Sequence, residues 1–332
     1  MRLEQMRLIV EIARQGYNVS RAAEAMNTPQ PAVSRQLRAL ERELGVDIFV
    51  RNQNRLRGLT RPGNDILEVA QRIVDDTANI GKIAREFRDI RSGRLTIATT
   101  HTQARYALPP LIQRFSCNYP EVEVMIRQGS PAEILELVRD GEADVCIGSD
   151  SAEGSDLLLF PCYPMHRIVL TPPDHPLLAA RRPTLETLAR FPIITYDAPF
   201  IGRSKLVQSF AQHGLTPKIV LSAIDTDVIK AYVEHGLGIA IVAKLAFDAE
   251  RDAKLRAIDV SHLFEPNTIH LGIRRNDYLR GYVFEFIEMF APQLKRKQVE
   301  SRLRAAMAGR RATAVTTAKR TSVTRKRPAR AR

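Results

Sequence analysis

The chain of 332 residues has only three cysteines, Cys117, Cys146 and Cys162, and they stand far apart. An odd, widely spaced set gives no CxxC pair and no zinc framework, so these residues read as reduced, buried small hydrophobes. Long apolar runs are missing as well: none approaches the roughly 18 residues of a membrane span. The opening Met1-Arg2-Leu3-Glu4-Gln5 lacks the charged-then-apolar pattern of a secretory leader, and the expected location is the cytoplasm. Catalytic signatures are also absent. The seven histidines are scattered without metal spacing, and no GxSxG, P-loop or GxGxxG stretch occurs. No enzyme chemistry, metal or cofactor is therefore expected.

What is present is the composition of a globular chain with 44% hydrophobic and 26% charged residues, long enough for two or three domains. Its net charge of +13 is unevenly placed. Residues 295–332 hold 14 Lys and Arg against the single acid Glu300, whereas residues 1–294 hold 36 basic and 36 acidic side chains. That tail is rich in Ala, Thr, Arg and Lys, with few large apolar residues after Leu303, and is expected to be disordered. Two readings stay open for it: a polycation adding salt-sensitive DNA affinity, or a solubilising extension without a specific role.

The first sixty residues carry three helical patterns. Leu3, Met6, Leu8-Ile9-Val10 and Ile12 repeat at helical spacing, and Gly16-Tyr17-Asn18 ends that helix. Ser20 is the expected cap of a second helix with Ala22, Ala23 and Met26 inward. After the turn Asn27-Thr28-Pro29, a third helix from Gln30 to Leu44 turns Val33, Leu37, Leu40 and Leu44 to one side and stops at Gly45. Its other side shows Gln30, Ser34, Arg35, Arg38 and Arg42. Two short helices at a tight turn, the second displaying Gln, Ser and Arg, describe a helix-turn-helix that sets donors into a DNA groove. An αα-hairpin with a solvated basic face is the plainer alternative. A basic hairpin through Arg51, Arg55 and Arg57 favours the DNA reading as a wing against phosphates. Residues 1–61 hold 11 basic and 6 acidic side chains, so this segment is net positive.

From Asn64 to about Asp89 an apolar stripe runs through Ile66, Ala70, Ile73, Thr77, Ile80, Ile83 and Phe87. So long an amphipathic helix is expected to pair with a copy of itself, the alternative being packing onto its own domain. Beyond it, strands are expected at 95–98, 122–128, 145–148, 168–171, 193–196, 219–223, 239–242 and 269–273. Helices are expected at 108–115, 131–140, 185–189, 203–213, 226–235 and 278–290. Such alternation calls for mostly parallel sheets. The division is a head at 1–61, a linker helix at 62–93, a body at 94–294 and a tail at 295–332. Within the body, 94–165 with 268–294 forms one subdomain and 166–267 the other, with a ligand cleft expected between them. The run Thr99-Thr100-His101-Thr102-Gln103 stands between a strand and a helix start, where hydroxyls and backbone N–H groups suit a small anion. An ordinary capped βα loop is the other reading. Asp225 and Asp227 read as dipole partners of a helix start, and Arg274-Arg275 as a solvated edge.

Ala22-Ala23, Gln30-Pro31-Ala32-Val33-Ser34-Arg35-Gln36, Leu40-Glu41, Leu44-Gly45, Phe49-Val50-Arg51 and Thr60-Arg61-Pro62-Gly63 resemble, in order and spacing, the winged helix-turn-helix of LysR-type transcriptional regulators. In the body, Thr99 to Pro109, Gln128-Gly129-Ser130-Pro131, Phe160-Pro161-Cys162-Tyr163, Gly202-Arg203-Ser204 and Asp227-Val228-Ile229-Lys230 resemble the CysB-type branch. The resemblance implies an α/β sensor of two periplasmic-binding-protein-like subdomains, preceded by an all-α winged helix-turn-helix and a long linker helix. It further implies a homotetramer, a dimer of dimers that binds double-stranded promoter DNA at sulfur-metabolism genes. Its implied effector is sulfate, thiosulfate, an acetylated serine or a sulfur-pathway nucleotide. Another pathway with a different effector, or a solute-binding receptor, is the alternative function.

Position by position, the resemblance assigns DNA contacts to Gln30, Pro31, Ser34, Arg35, Arg38, Arg51, Arg55 and Arg57. Thr100, Thr102 and Gln103 become oxyanion donors, Ser149 keeps a hydroxyl where the family commonly has Thr, and Gly202 offers a backbone N–H. Three departures stand out. Pro29 replaces a usual Ser, leaving Thr28 as the expected cap. Ile201 replaces a usual Thr beside Gly202, and a missing hydrogen bond to an anion costs about 1.5–3 kcal/mol, or roughly ten- to hundredfold in affinity. Pro164-Met165-His166 replaces a more polar and aromatic pattern, which with Ile201 suggests an altered effector.

Overall fold

The computed structural model describes residues 1–53, 55–88, 92–149, 156–180, 182–198 and 200–306, without the side chains of residues 85, 86, 88 and 201. It divides into two compact units, Met1–Arg88 with Asn276–Tyr278, and the remainder. Among the described residues no helix is long and apolar enough to cross a membrane.

In the first unit, α1 (Leu3–Arg14) turns Met6, Leu8, Ile9 and Ile12 inward. The next helix, α2 (Val19–Ala25), is capped by Asn18 rather than by the expected Ser20. Asn18 stands in extended backbone and its side chain accepts from the N–H groups of Ser20 and Arg21, the geometry a cap requires. Helix α3 (Gln30–Leu44) starts at Pro29 without a side-chain cap. The Thr28 hydroxyl donates instead to the Met26 carbonyl, so Thr28 does not take over the capping role. Buried Ala22 and Ala23 let α2 approach its neighbours closely, and Gly45 closes α3 in the left-handed region at φ 71°.

This unit is not all-α. Strands β1 (Phe49–Asn52) and β2 (Arg55–Leu59) pair antiparallel as a wing. Helix α4 (Arg61–Arg88) then begins three residues earlier than the sequence suggests. The Thr60 hydroxyl accepts from Gly63 N–H while Thr60 N–H donates to the Ile48 carbonyl, which locks the entry. A Cβ on Gly63 would stand 1.9 Å from that carbonyl oxygen, so the entry requires glycine. The first half of α4 does find a partner in its own unit: Ile66, Leu67, Ala70, Ile73 and Val74 join the head core. Its second half joins no apolar core but holds residues 276–278: Asn79 donates to the Asn276 carbonyl and accepts from Tyr278 N–H, and Lys82 pairs with Asp277 at 2.7 Å, while Ile80 and Phe87 are 67% and 84% exposed.

In the second unit the order is β3 (Gly93–Thr99), α5 (Leu108–Asn118), β4 (Val122–Gln128), α6 (Pro131–Arg139), β5 (Val145–Ser149), β6 (Leu157–Met165) and β7 (Arg167–Thr171). There follow α7 (Leu185–Ala189), β8 (Ile193–Tyr196), α8 (Ile201–Gln212), β9 (Ile219–Ala223), α9 (Thr226–Glu234) and β10 (Ile239–Ala243). Then come β11 (Arg256–Asp259), β12 (Asn267–Arg274) and α10 (Gly281–Phe290). One sheet runs β4-β3-β5-β12-β6 and the other β11-β7-β10-β8-β9.

The sheets are mixed rather than mostly parallel. Strand β3 is parallel to β4 and β5, but β12 is antiparallel to β5 and β6. Likewise β8 is parallel to β9 and β10, whereas β7 is antiparallel to β10 and β11. The cause is connectivity: the chain crosses from one sheet to the other between Met165 and Arg167, then re-enters the first at Asn267 without a crossover helix. Strand β6 escaped the sequence reading because Pro161 and Pro164 look like breakers. It lies at a sheet edge, where missing N–H groups are tolerated. Strand β11, short and mostly exposed, is an edge too.

Other expectations need correction. Residues 296–306 form a helix, α11, whose Val299 and Leu303 are buried in the core around β3, β12 and α10. The Arg302 guanidinium lies over Phe160 and donates to the Leu159 carbonyl. The basic tail therefore begins as packed structure, and its expected disorder over residues 307–332 lies outside the described residues. Cys117 is exposed, unlike Cys146, while Cys162 is partly covered. Burial raises the Cys146 thiol to about 12 and the Cys162 thiol to about 11, so both stay protonated and unreactive at neutral pH. Arg274 is buried rather than solvated, lying where a Cβ on Gly141 would collide with it.

Because α11 contributes to the core, Leu303→Ala should lower stability in urea unfolding of the full chain by about 2–5 kcal/mol. Truncation of the exposed Arg304 should change it by less than about 0.5 kcal/mol.

Candidate functional site

In the first unit, Gln30, Pro31, Arg35 and Arg38 are exposed along α3, and Ser34 is half-buried between them. On the wing Arg51, Arg55 and Arg57 are exposed. Arg51 has a structural task as well. It pairs at 2.5 Å with Glu41, whose other oxygen accepts from the N–H groups of Ile48 and Phe49. This buried carboxylate ties α3 to β1 and so fixes the wing against the recognition helix. Arg35, Arg38, Arg42 and Arg51 line one open groove of this unit, a cationic surface suited to phosphates.

In the second unit the stretch after β3 is helical from His101, and Gln103–Ala107 is a π-turn in which Leu108 N–H donates to the Gln103 carbonyl. The sequence reading begins a helix at Leu108. Helix α5 does start at Leu108, with Pro109 and Pro110 in its first turn, and the π-turn leads into it without a break. Thr100, Thr102 and Gln103 are consequently set at the N-terminal turn of a helix, with free backbone N–H groups and the positive dipole end.

Thr100, Thr102, Gln103, Ser149 and Gly202 all line one cavity between the two sheets. Ile201 opens α8, and the expectation about its side chain lies outside the described residues. The space open to the centres of water-sized groups is about 40 Å³. Gln103 is held by Tyr163, whose hydroxyl donates to Oε1 at 2.5 Å, leaving Nε2 only the weak Met165 Sδ acceptor at 3.7 Å. The Gln103 amide thus points donors, not acceptors, towards the cavity. Burial also raises the Tyr163 phenol to about 12, so it remains a donor at neutral pH.

Several lining residues were missed. These are Arg167 at the first crossing, Asn267 at the second, and Tyr196 and Phe200 beside α8, whereas Met165 and His166, marked in the sequence as a departure bearing on the effector, do line the cavity. Arg167 is 6% exposed, and burial lowers its guanidinium to about 10. Only the crossing itself could have flagged the missed residues, because their neighbours in sequence are ordinary strand residues. No acidic side chain lines the cavity among the described residues.

A second cluster bridges the subdomains beside the cavity. Asp225 caps α9 and lies 3.2 Å from His101 Nδ1, while Asp227 accepts from Arg105 Nε at 3.1 Å and from the Tyr106 hydroxyl. Burial would raise the Asp227 carboxyl, but the hydrogen bonds from Tyr106 and Arg105 outweigh it and hold it below the usual range. Thr226 meets Thr102 at 3.5 Å and Tyr196 at 2.9 Å, joining this cluster to the cavity wall. His101, Asp225 and Asp227 place ligand-type atoms within 4.8 Å of one another. Arg105 and Tyr106 already occupy the Asp227 oxygens, so the cluster reads as an ion-pair latch and not as a cation site.

The chain's likeness to known proteins covers both units. Residues 3–64 match the bacterial regulatory helix-turn-helix protein, lysR family, and residues 88–295 match the LysR substrate binding domain. The chain is 46% identical over 308 residues to the HTH-type transcriptional regulator SsuR of Burkholderia cenocepacia, covering 92% of this chain and 100% of that protein. It is 44% identical to the regulator CysB of the same organism, covering 92% of this chain and 97% of that one. The crystal structure of the cofactor-binding domain of the Cbl transcriptional regulator is 43% identical, covers 64% of this chain and 93% of that chain, and superposes with a TM-score of 0.62. With a helix-turn-helix head and an effector-type body both matched, the chain belongs to the LysR family of helix-turn-helix transcriptional regulators.

Proposed function

We propose that this protein regulates sulfur-metabolism genes from the cytoplasm as a homo-oligomer, a dimer of dimers. Promoter DNA is read by the exposed face of α3 and the wing, and the cavity between the sheets takes a small oxyanion or acetyl-serine-like effector. One observation carries the effector reading: residues separated by a hundred positions, Thr100, Thr102, Gln103, Ser149 and Gly202, converge on one cavity. The small space, about 40 Å³ for the centres of water-sized groups, favours a compact effector over a nucleotide. The exposed second half of α4 supports pairing with another copy. A solute receptor is not favoured, because the head matches a DNA-binding family.

Regulation then follows from closure. Ligand bound between the sheets adds contacts only in the closed state, shifting the subdomains towards it, and the latch at Asp225 and Asp227 sets the starting balance.

A thermal-shift series of the full chain with sulfate, thiosulfate and acetylated serine tests the reading. At least one should raise Tm, and no response to any would overturn the sulfur assignment while sparing DNA binding. In the same assay Gly202→Ala should lose the ligand-dependent shift with the unliganded Tm unchanged. Its Cβ would enter the cavity in ordinary contact with Tyr196 and Asn267, at 3.7 and 3.8 Å. For DNA, Arg38→Ala should weaken binding to a promoter fragment and reduce the salt slope by about 1 in fluorescence anisotropy.

The latch gives a pH prediction. The Asp227 carboxyl is lower in the folded state, so its contribution is present above its unfolded value near pH 4 and lost as pH falls through the folded value. Asp227→Asn should cost less than about 1 kcal/mol at pH 7, as expected for a half-exposed pair. The difference from wild type should be flat from pH 5 to 8 and shrink below about pH 4, measured by urea unfolding.

A further inference from the structure

Arg167 is anomalous for a buried cation. It is 94% removed from solvent, yet among the described residues it forms no ion pair. One guanidinium nitrogen, Nη2, reaches the neutral Asn267 Oδ1 at a long 3.4 Å. The other, Nη1, is buried and has no hydrogen-bond partner. The ring of Phe264 lies 5.3 Å from the guanidinium carbon, a cation–π contact that offsets part of the charge but supplies neither a hydrogen-bond acceptor nor a counter-ion. Such an arrangement is strongly unfavourable unless something negative completes it. Arg167 also lines the cavity, opposite the helix start that carries Thr100 and Thr102, and no carboxylate lines that cavity among the described residues.

We infer that Arg167 is the charge-bearing determinant of effector specificity, its unpartnered Nη1 donating to a compact anion that supplies the missing counter-charge. The inference rests on the effector reading above and deepens it. The hydroxyl and amide donors hydrogen-bond a tetrahedral oxyanion or a neutral sulfone alike, whereas Arg167 separates the two by charge. Its position explains how one residue can report occupancy to both sheets. Arg167 begins β7 opposite Ala243 of β10, while its partner Asn267 begins β12 opposite Met165 of β6. An anion on Arg167 therefore sits on both crossings at once.

The test uses the full chain as wild type, Arg167→Lys and Arg167→Met, with sodium sulfate and the neutral, similarly shaped dimethyl sulfone as ligands at constant ionic strength. Calorimetry and thermal shift are both read. Wild type should bind sulfate and not dimethyl sulfone. Arg167→Met should bind sulfate about ten- to a hundredfold more weakly, and Arg167→Lys should recover part of the loss. Without ligand, Arg167→Met should melt at or above the wild-type temperature, because an uncompensated buried charge has been removed. A merely structural arginine would instead lower it. Equal sulfate affinity in wild type and Arg167→Met overturns the inference while leaving the effector cavity intact, as does equal binding of dimethyl sulfone and sulfate by wild type. Absence of any sulfate binding by wild type overturns both the inference and the oxyanion reading.

Discussion

The second unit depends on the chain passing between its two sheets at one place. Strand β6 ends at Met165 and β7 begins at Arg167, so a single residue, His166, makes the outward crossing. The return enters β12 at Asn267, which pairs directly with Met165. Two extended segments side by side hold the subdomains together. The antiparallel pairings that make both sheets mixed follow from this constraint. So does the composition of the cavity floor, since residues at a crossing face the space between the sheets rather than either core.

That geometry places cavity-lining side chains and contacts with α9 on one short segment. Across residues 100 to 106, Thr100, Thr102 and Gln103 line the cavity, while His101, Arg105 and Tyr106 reach across to Asp225 and Asp227 at the start of α9. The π-turn makes the division possible, because its wider spacing rotates successive side chains differently from an α-helix. Thr102 belongs to both sets through its contact with Thr226. The cavity wall and the latch are thus in direct contact, without a long relay of intervening side chains.

Much of the architecture was legible in the chain. Periodicity located α1 and α3 and most strands of the body, since apolar spacing follows directly from which face is buried. Local chemistry was less well resolved. Asn18 caps α2 in place of Ser20, a choice decided by backbone conformation that residue type alone does not specify. Prolines misled at β6, because their penalty depends on whether the lost N–H had a partner to lose, whereas α5 starts at Leu108 as its spacing indicates. The start of the basic tail also misled: charge suggested disorder, but Val299 and Leu303 at helical spacing were enough to dock α11.

The candidate site divides along the same line. By itself the sequence determined the DNA-reading head, the family resemblance and the hydroxyl-rich donors around Thr100, since these are local patterns of residue type and spacing. Only the tertiary structure decided that Arg167 is buried with no counter-charge among the described residues, that Asn267 is its weak neutral partner, and that the N-terminal turn of α9 meets the turn before α5. The reason is physical: donors can be recognised one at a time from their chemistry, but an uncompensated charge is defined by everything that surrounds it, and those surroundings come from segments a hundred residues apart.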